Sequence, residues 1–421
     1  MKIIATGDWH IGNLFHGNDR LPEHKHFFTW LLSRIDEHKP DALLVAGDVF
    51  DTANPSAAAQ AVYYEFLADA TRLLPDMKIV ISAGNHDSAF RLEAPRALLS
   101  KHNVEVRGKV KRNWATDEEE EGWVIDYEDL MIPLTGRDGE RVVVLVVPYL
   151  RSDVVEGGNY SEGVNKFLRT LTREAREKYP DTQLVMMAHM YAKGSDIALK
   201  DASEKIIIGG QEEVNMEGWE DHPDYLTSGH IHKRQHLWNT TWARYTGSVL
   251  PMSFAEIGYR HGVDLVTLTP EKKLQVEFLE YVPQHKLRIL PEDGSELTPK
   301  KLLKLIKDVL PDSENEKGPD DNFEYVLLKV KQEKVNNDEI KALESAVMAK
   351  NAVLCKIQKI LPSLDFHMND GGKKIESVED ILNRDPLETL KDAFMAEHQR
   401  EMNENQETML KSILESIGEE E

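Results

Sequence analysis

The stretch that decides the fold reads Ile79-Val80-Ile81-Ser82-Ala83-Gly84-Asn85-His86-Asp87. Its apolar start predicts a buried strand, and its polar end places Asn85 and His86 in the loop that follows, where layered α/β folds gather catalytic groups. Asn85 offers a carbonyl oxygen that suits a divalent metal, and the imidazole of His86 can carry a proton near neutral pH. Gly-Asn and His-Asp are also ordinary turn formers, so a plain turn is the alternative interpretation.

Two earlier predicted strands end in acidic loops of the same kind. After residues 2–6 come Asp8 and His10, which point to one side of an extended chain and could bind one metal together. After residues 42–46 comes Asp48, whose two carboxylate oxygens could bridge two metals. Asp51 could support a metal ligand or cap the next helix.

The segments between these strands have helical apolar spacing, at residues 23–38 and 55–74. Strand, loop and helix therefore alternate in the first hundred residues, with polar groups after each strand. This alternation predicts a layered α/β fold.

Histidines dominate the later, strand-rich part of this region. Residues 184–188 predict a strand that delivers His189, although a single histidine at such a position is more often a core residue than a ligand. Further on, His230 and His232 follow Gly229 at a spacing that points both rings the same way. The glycine permits close approach of the backbone. This pair is a stronger signal than Asp8 and His10, because paired histidines are rare without metal or catalytic work.

Composition limits the class of protein. A chain of 421 residues with 41% hydrophobic and 30% charged residues predicts two or three globular domains. It has no apolar run long enough to cross a membrane, and Asp8 interrupts the start before a signal-peptide core, so we expect a cytoplasmic protein. The net charge of -23 opposes general attraction to nucleic acid, although local basic clusters can still guide a polyanion. A single cysteine, Cys355, excludes an internal disulfide and a thiolate cluster.

Changes in composition predict four segments. Residues 1–283 hold the motifs above, and residues 284–362 alternate strands and helices as a small α+β unit. Residues 363–377 are a polar linker that contains glycine. Residues 378–421 carry apolar stripes that predict amphipathic helices, which need a partner surface to bury those stripes.

Together the loops supply two carboxylates, one amide and five imidazoles: Asp8, His10, Asp48, Asn85, His86, His189, His230 and His232. Seven of these suffice for two metals that share Asp48. One site would be completed by Asp8, His10 and His232, and the other by Asn85, His189 and His230. Two divalent cations and two carboxylates leave a charge of about +2, which attracts a phosphate.

Such a centre predicts phosphoester chemistry. Two metals roughly 3.5–4 Å apart can activate water and hold both oxygens of an in-line phosphoryl displacement. His86 then remains available to protonate the leaving oxygen. Mixed nitrogen and oxygen ligands suit manganese, iron or zinc better than calcium or magnesium.

The same motifs, in the same order, resemble the calcineurin-like metallophosphoesterase superfamily: Asp8-x-His10, Gly47-Asp48-x-x-Asp51, Gly84-Asn85-His86-Asp87, His189 and Gly229-His230-x-His232. The resemblance implies a four-layer αββα sandwich of two sheets flanked by helices. It also implies the ligand assignment given above.

The sequence around these motifs is similar to the SbcD family, bacterial nuclease subunits that work with the SbcC ATPase. The similar stretches include Asp8-Trp9-His10-Ile11-Gly12, Val147-Pro148-Tyr149-Leu150 and Tyr245-Thr246-Gly247-Ser248. The resemblance extends over residues 1–281. The resemblance implies manganese-dependent cleavage of DNA, as an exonuclease on duplex ends and an endonuclease on single strands and hairpins. It further implies a DNA-capping small domain and carboxyl-terminal helices that bind the ATPase. The family forms a homodimer within a heterotetramer, through helices for which residues 23–38 and the helix after Arg91 are candidates.

Two other functions fit the same ligands. One is a calcineurin-like phosphodiesterase or nucleotidase for a small phosphoester, which would share the whole metal site but has no need of the small domain and the apolar tail. The other is a non-catalytic scaffold that kept the fold. The complete ligand set and the presence of His86 argue against a scaffold.

Overall fold

The computed structural model describes part of the chain: residues 1–117, 120–155, 158–197, 213–216, 218–269, 271, 273–313, 322–331, 336–360 and 391. The chain divides into two units, Met1–Pro362 and Ser363–Glu421. The predicted linker at 363–377 and the predicted helices at 378–421 lie outside the described residues, except for Lys391. Within the described ranges, no helix combines the length and the apolar character needed to cross a bilayer.

The first unit alternates strands and helices from its first residues onward. Its helices are α1 (Leu21–His38), α2 (Ala57–Leu73), α3 (Ala89–Glu93), α4 (Arg96–Leu99), α5 (Tyr160–Lys178), α6 (Pro299–Val309) and α7 (Asn337–Met348). Its strands are β1 (Lys2–Thr6), β2 (Leu14–Phe15), β3 (Asn18–Asp19), β4 (Ala42–Ala46), β5 (Lys78–Ser82), β6 (Val104–Arg107), β7 (Arg112–Asp117), β8 (Glu120–Ile125), β9 (Met131–Thr135), β10 (Arg141–Val146), β11 (Gln183–His189), β12 (Tyr225–Gly229), β13 (Gln235–His236), β14 (Ala243–Tyr245), β15 (His261–Leu268), β16 (Leu274–Tyr281), β17 (Lys286–Leu290), β18 (Glu324–Lys331) and β19 (Ala352–Ile360).

Two six-stranded sheets form the centre of the described part of this unit, in the orders β16-β15-β1-β4-β5-β6 and β13-β14-β12-β11-β10-β9. The strands that carry the motifs are parallel to one another: β1, β4 and β5 in the first sheet, and β11 and β12 in the second. Because parallel strands end at one edge of a sheet, the loops after them meet there.

The sheets pack face to face. Between them lies an apolar layer in which Ile3 and Leu44 of the first sheet face the same core as Val144 and Met187 of the second. Helices α1 and α2 cover the outer face of the first sheet, and α5 covers that of the second. Since both faces of the central strands are buried, these strands read as continuous apolar runs. The predicted four-layer αββα sandwich is confirmed.

The ends of the helices depend on capping groups. Ser56 Oγ accepts a hydrogen bond from Ala59 N and begins α2, so the alternative in which Asp51 caps this helix is wrong. In the same way, Asn159 Oδ1 accepts from Glu162 N at the start of α5. Helix α2 therefore begins within two residues of its predicted start at residue 55.

Residues 286–360 form the predicted small α+β unit in their described part. Strands β17, β18 and β19 make a parallel sheet, and α6 and α7 pack on it over a separate apolar core. A second cluster joins this sheet to the sandwich, with Tyr325 and Leu327 from the small sheet against Phe15 and Phe254. This predicted small domain has its own apolar core and contacts Phe15 of β2 and Phe254, which follows β14. A boundary at residue 283 stays a prediction.

Candidate active site

The loops after β1 and β4 are tied together at the shared edge of the sandwich. Asp8 N donates to Gly47 O at 3.1 Å, and His10 N donates to Asp48 O at 3.0 Å. The structure brings all eight predicted side chains into one connected cluster at this edge: Asp8, His10, Asp48, Asn85, His86, His189, His230 and His232.

Asp48 occupies the middle of this cluster. Its Oδ2 lies 3.3 Å from His189 Nε2 and 3.7 Å from His10 Nε2, while its Oδ1 accepts from His86 N at 2.9 Å. Two groups with metal-ligand spacing share this carboxylate, His10-Asp48-His86 and Asp8-Asp48-His189, and within each group the ligand atoms lie within 4.8 Å of one another. A side chain in this position can reach two neighbouring cations.

The Asn85 side chain contacts two histidines on one side of Asp48. Its Oδ1 lies 2.9 Å from His189 Nε2 and 3.0 Å from His230 Nδ1. His189 Nδ1 donates to Ala46 O at 2.9 Å, which fixes the ring and aims Nε2 at the cluster. Such orientation of one ring nitrogen by a carbonyl is the usual support of a metal-binding histidine.

On the other side lie His10 and His232, while Asp8 contacts His230 and His189 of the first side. The rings of His10 and His232 are 5.2 Å apart, and Asp8 Oδ1 accepts from His230 N at 2.9 Å. Asp8 Oδ2 and His10 Nε2 are buried and make no hydrogen bond within the described residues. Buried polar atoms without a partner are costly, and a cation would satisfy both. The donor set therefore fits a metal ion.

His86 belongs to the cluster but is held differently from the other histidines. Its Nδ1 donates to Asp51 O at 2.8 Å, and its ring is 4.9 Å from that of His10. The bond to a carbonyl leaves Nε2 as the nitrogen that can exchange a proton with a bound molecule. The Asp51 carboxylate accepts from Asn13 Nδ2 at 3.0 Å and lies 3.4 Å from His10 Nδ1, so Asp51 supports His10.

The carboxylates and imidazoles of the cluster shift one another's pKa values. Burial opposes ionisation of Asp48, but His189 and His10 hold the pKa of this carboxyl well below its ordinary value. Burial disfavours a charged His189, yet Asp48 and Asp8 raise the pKa of its imidazole to about 9. Burial and His189 together lower the pKa of His230 to about 3. Binding of a metal ion through His189 Nε2 at neutral pH would require the loss of the proton from that nitrogen.

The backbone at the cluster adopts conformations that are rare elsewhere. Asp8, His10 and Asp48 have φ values of 49°, 46° and 48°, in the left-handed region. Non-glycine residues in this region cost free energy and collect at functional sites. A Cβ at Gly84 would lie 2.1 Å from Asp48 Oδ1, so this position requires glycine for the close approach of the two loops.

Two buried carboxylates support the cluster without having been predicted for that role. Asp87 accepts hydrogen bonds from Val49 N, Phe50 N and Gly84 N, and so joins the loops after β4 and β5. Glu256 Oε1 accepts from His232 Nδ1 at 3.0 Å. Asp87 belongs to the motif itself, but Glu256 lies 24 positions after His232, and no local pattern marks it.

The chain is similar in sequence to known proteins. The family model of calcineurin-like phosphoesterases matches residues 1–234. The chain is 34% identical to the SbcD subunit of the nuclease SbcCD from Rhodobacter capsulatus, over 78% of this chain and 80% of that protein. It is 29% identical to the corresponding subunits from Escherichia coli K12, over 71% of this chain and 72% of that protein, and Bacillus subtilis, over 64% and 67%. The chain therefore belongs to the calcineurin-like phosphoesterase family and, within it, to the SbcD family of nuclease subunits.

Proposed function

We propose that this protein is the nuclease subunit of a complex with an SbcC-type ATPase and hydrolyses DNA phosphodiester bonds. It would act as an exonuclease on double-stranded ends and as an endonuclease on single strands and hairpins. The observation that carries the proposal is the cluster of metal donors around Asp48 with His86 beside it. The family membership supports DNA as the substrate and the cytoplasm as its location.

In this proposal the seven metal donors hold two Mn²⁺ ions. Asp48 would be shared between them, with Asp8, His10 and His232 completing one site and Asn85, His189 and His230 the other. When bound, the two ions supply a nucleophile from water and neutralise charge on the phosphoryl group. The protein keeps the donors in place through the carbonyl and carboxylate contacts of the histidine rings.

His86 serves as the general acid. The hydrogen bond from Nδ1 to Asp51 O orients the ring, so that a proton on Nε2 can pass to the oxygen of the leaving DNA strand. A positioned acid removes the need to expel an unprotonated alkoxide. The half-buried position of His86 leaves its ring accessible to a substrate, unlike the fully buried His189.

Substrate choice separates this proposal from a phosphodiesterase or nucleotidase for small phosphoesters. We expect the full-length protein, with Mn²⁺ and its ATPase partner, to cut a labelled DNA hairpin and to hydrolyse a nucleotide monoester far more slowly. Turnover of the nucleotide without any cleavage of DNA would show that the protein is a phosphoesterase for small substrates and would refute the nuclease proposal. The metal site would then keep its role.

The basic cluster between β6 and β7 consists of Arg107, Lys109, Lys111 and Arg112, and three of these side chains are paired within the fold. Arg107 is buried and pairs with Glu105 at 3.0 Å, and Lys111 pairs with Asp129 at 2.8 Å. Arg112 donates to the backbone oxygen of Asp153. These charges are used within the fold. We therefore assign DNA capping to the small domain, which contacts the loops next to the metal cluster.

Residues 378–421 are proposed to bind the ATPase through their apolar stripes. Deleting them is expected to abolish binding to the ATPase, because the stripes supply the apolar contact surface, and to leave cleavage of DNA by the isolated subunit largely intact. Pull-down with the ATPase and a cleavage assay without it measure the two effects. Full binding by the truncated protein would refute this role of the tail.

A second copy of the chain is proposed to bind at α2 and α4. A groove of about 540 Å³ lies between these helices, and Tyr64 and Leu98 on its walls are 39% and 63% exposed. The large apolar side chains of α1, such as Phe27 and Leu31, are buried instead. Of the two candidate regions, the helix after Arg91 is therefore favoured.

The variant Leu98→Asp is expected to convert a dimer into a monomer, because a charge in a desolvated apolar interface is costly. Sedimentation of the purified protein measures this change. Met348→Asp provides the matched control, since Met348 is 78% exposed on the small domain, away from the groove. An unchanged dimer in Leu98→Asp would place the interface elsewhere.

A further inference from the structure

Glu256 contacts a metal ligand although it is not itself a member of the ligand set. Its carboxylate is fully buried, with Oε1 accepting from His232 Nδ1 at 3.0 Å and Oε2 accepting from Met252 N at 2.8 Å. Because the hydrogen on His232 is held at Nδ1, the lone pair of the ring lies on Nε2. Glu256 thereby fixes both the tautomer and the orientation of His232.

The turn that carries Glu256 also touches the small domain. Residues Phe254–Glu256 form one turn of 3-10 helix, which Ser253 Oγ begins by accepting from Ala255 N at 3.2 Å. Phe254 is buried and packs against Phe15, with 5.4 Å between the ring centres. The same cluster includes Tyr325 and Leu327 of the small sheet.

Further contacts fix the segment just before this turn. Pro251 O accepts from Arg20 Nη1 at 2.5 Å, and Arg20 is itself buried and paired with Glu23. Tyr325 of the small domain donates to Glu23 Oε2 at 3.3 Å. The segment 251–256 is therefore fixed on one side by groups that contact the small domain and on the other by His232.

We propose that Glu256 is a positioning residue for His232, and that the turn Phe254–Glu256 couples the seating of the small domain to metal binding. A shift of Tyr325 and Phe15 would move Phe254, and through the short turn would move the carboxylate that orients His232. The inference rests on the proposed function, since it takes His232 to be a metal ligand. It adds a physical route by which the small domain controls the occupancy of one metal position.

The test is calorimetric titration of the metal-free, full-length protein with Mn²⁺. Glu256→Gln keeps the shape of the side chain but removes its charge and one acceptor, and is expected to weaken the binding step completed by His232 by about 10–100-fold. The other binding step should keep its affinity. Glu280→Gln, which removes an exposed carboxylate that pairs with Arg260, is the control for the loss of one charge.

A double-mutant cycle tests the coupling itself. Phe254→Leu is expected to weaken the same Mn²⁺ step, and to add little further loss in the Glu256→Gln background, because both changes act through the same contact. Phe167→Leu, a similar change on the buried face of α5, should leave Mn²⁺ affinity unaltered.

Each contrary result has its own meaning. Wild-type affinity in Glu256→Gln would overturn the positioning role, and full additivity of the two changes would overturn the coupling. Absence of any Mn²⁺ binding by the wild type would overturn the proposed metal centre itself, and with it this inference.

Discussion

Replacing His86 with alanine is expected to lower the rate of DNA cleavage by about 10²–10⁴-fold, the usual contribution of a positioned general acid. Binding of Mn²⁺ should stay unchanged, because the seven proposed donors do not include His86. Single-turnover cleavage at saturating Mn²⁺ measures the first effect, and metal analysis of the purified variant measures the second. His236→Ala, a change of an exposed histidine on β13, controls for a general effect of losing an imidazole.

Two results would contradict the role of His86. A normal rate would show that another group protonates the leaving oxygen. Loss of a metal would show that His86 is a ligand. This is the main alternative role, because His86 lies at metal-ligand spacing from His10 and Asp48. The two measurements together separate an acid from a ligand.

The change Asp48→Ala is expected to have an even larger effect, with loss of both metals and a fall of cleavage to the level of DNA without enzyme. Asp48 belongs to both groups of side chains with metal-ligand spacing and is the donor shared in the proposed centre, so its removal should weaken both metal positions at once. The control variant Asp138→Ala, which removes an exposed acid outside the cluster, should bind metal normally. Retention of one tightly bound ion by Asp48→Ala would show that this carboxylate is not shared.

The same variant has a consequence for the metal-free protein. Burial lowers the pKa of His189, and Asp48 is the main charge that opposes burial and raises the pKa to about 9. Without Asp48 the pKa of His189 should fall, so that the ring loses its proton at a lower pH. Titration of the imidazole signals by NMR measures this shift, which complements the metal analysis.

Local patterns were sufficient to predict the strands that carry the site. Each motif follows a short apolar run, and parallel strands place their ends at one edge, so Asp8, Asp48 and Asn85 could be expected near one another. His189 is the weakest of these predictions, because a single histidine at the end of a strand is more often a core residue than a ligand. The structure explains its position through the bond to Ala46 O, which joins the two sheets.

Contacts over long sequence distances could not be predicted in this way. Glu256 contacts His232 because the turn after β14 packs against the loop after β12. A single sequence contains no local signal for such a contact. For Asp51 the local sequence allows two roles, because both capping of the next helix and support of a metal ligand fit its position. Ser56 takes the cap, which leaves Asp51 beside His10.

The most direct test of the shared two-metal centre is anomalous diffraction at the manganese edge from crystals grown with Mn²⁺. We expect two peaks about 3.5–4 Å apart, with Asp48 between them, His232 at one and His189 at the other. A single peak, or two peaks of which only one contacts Asp48, would contradict a centre in which this carboxylate is shared.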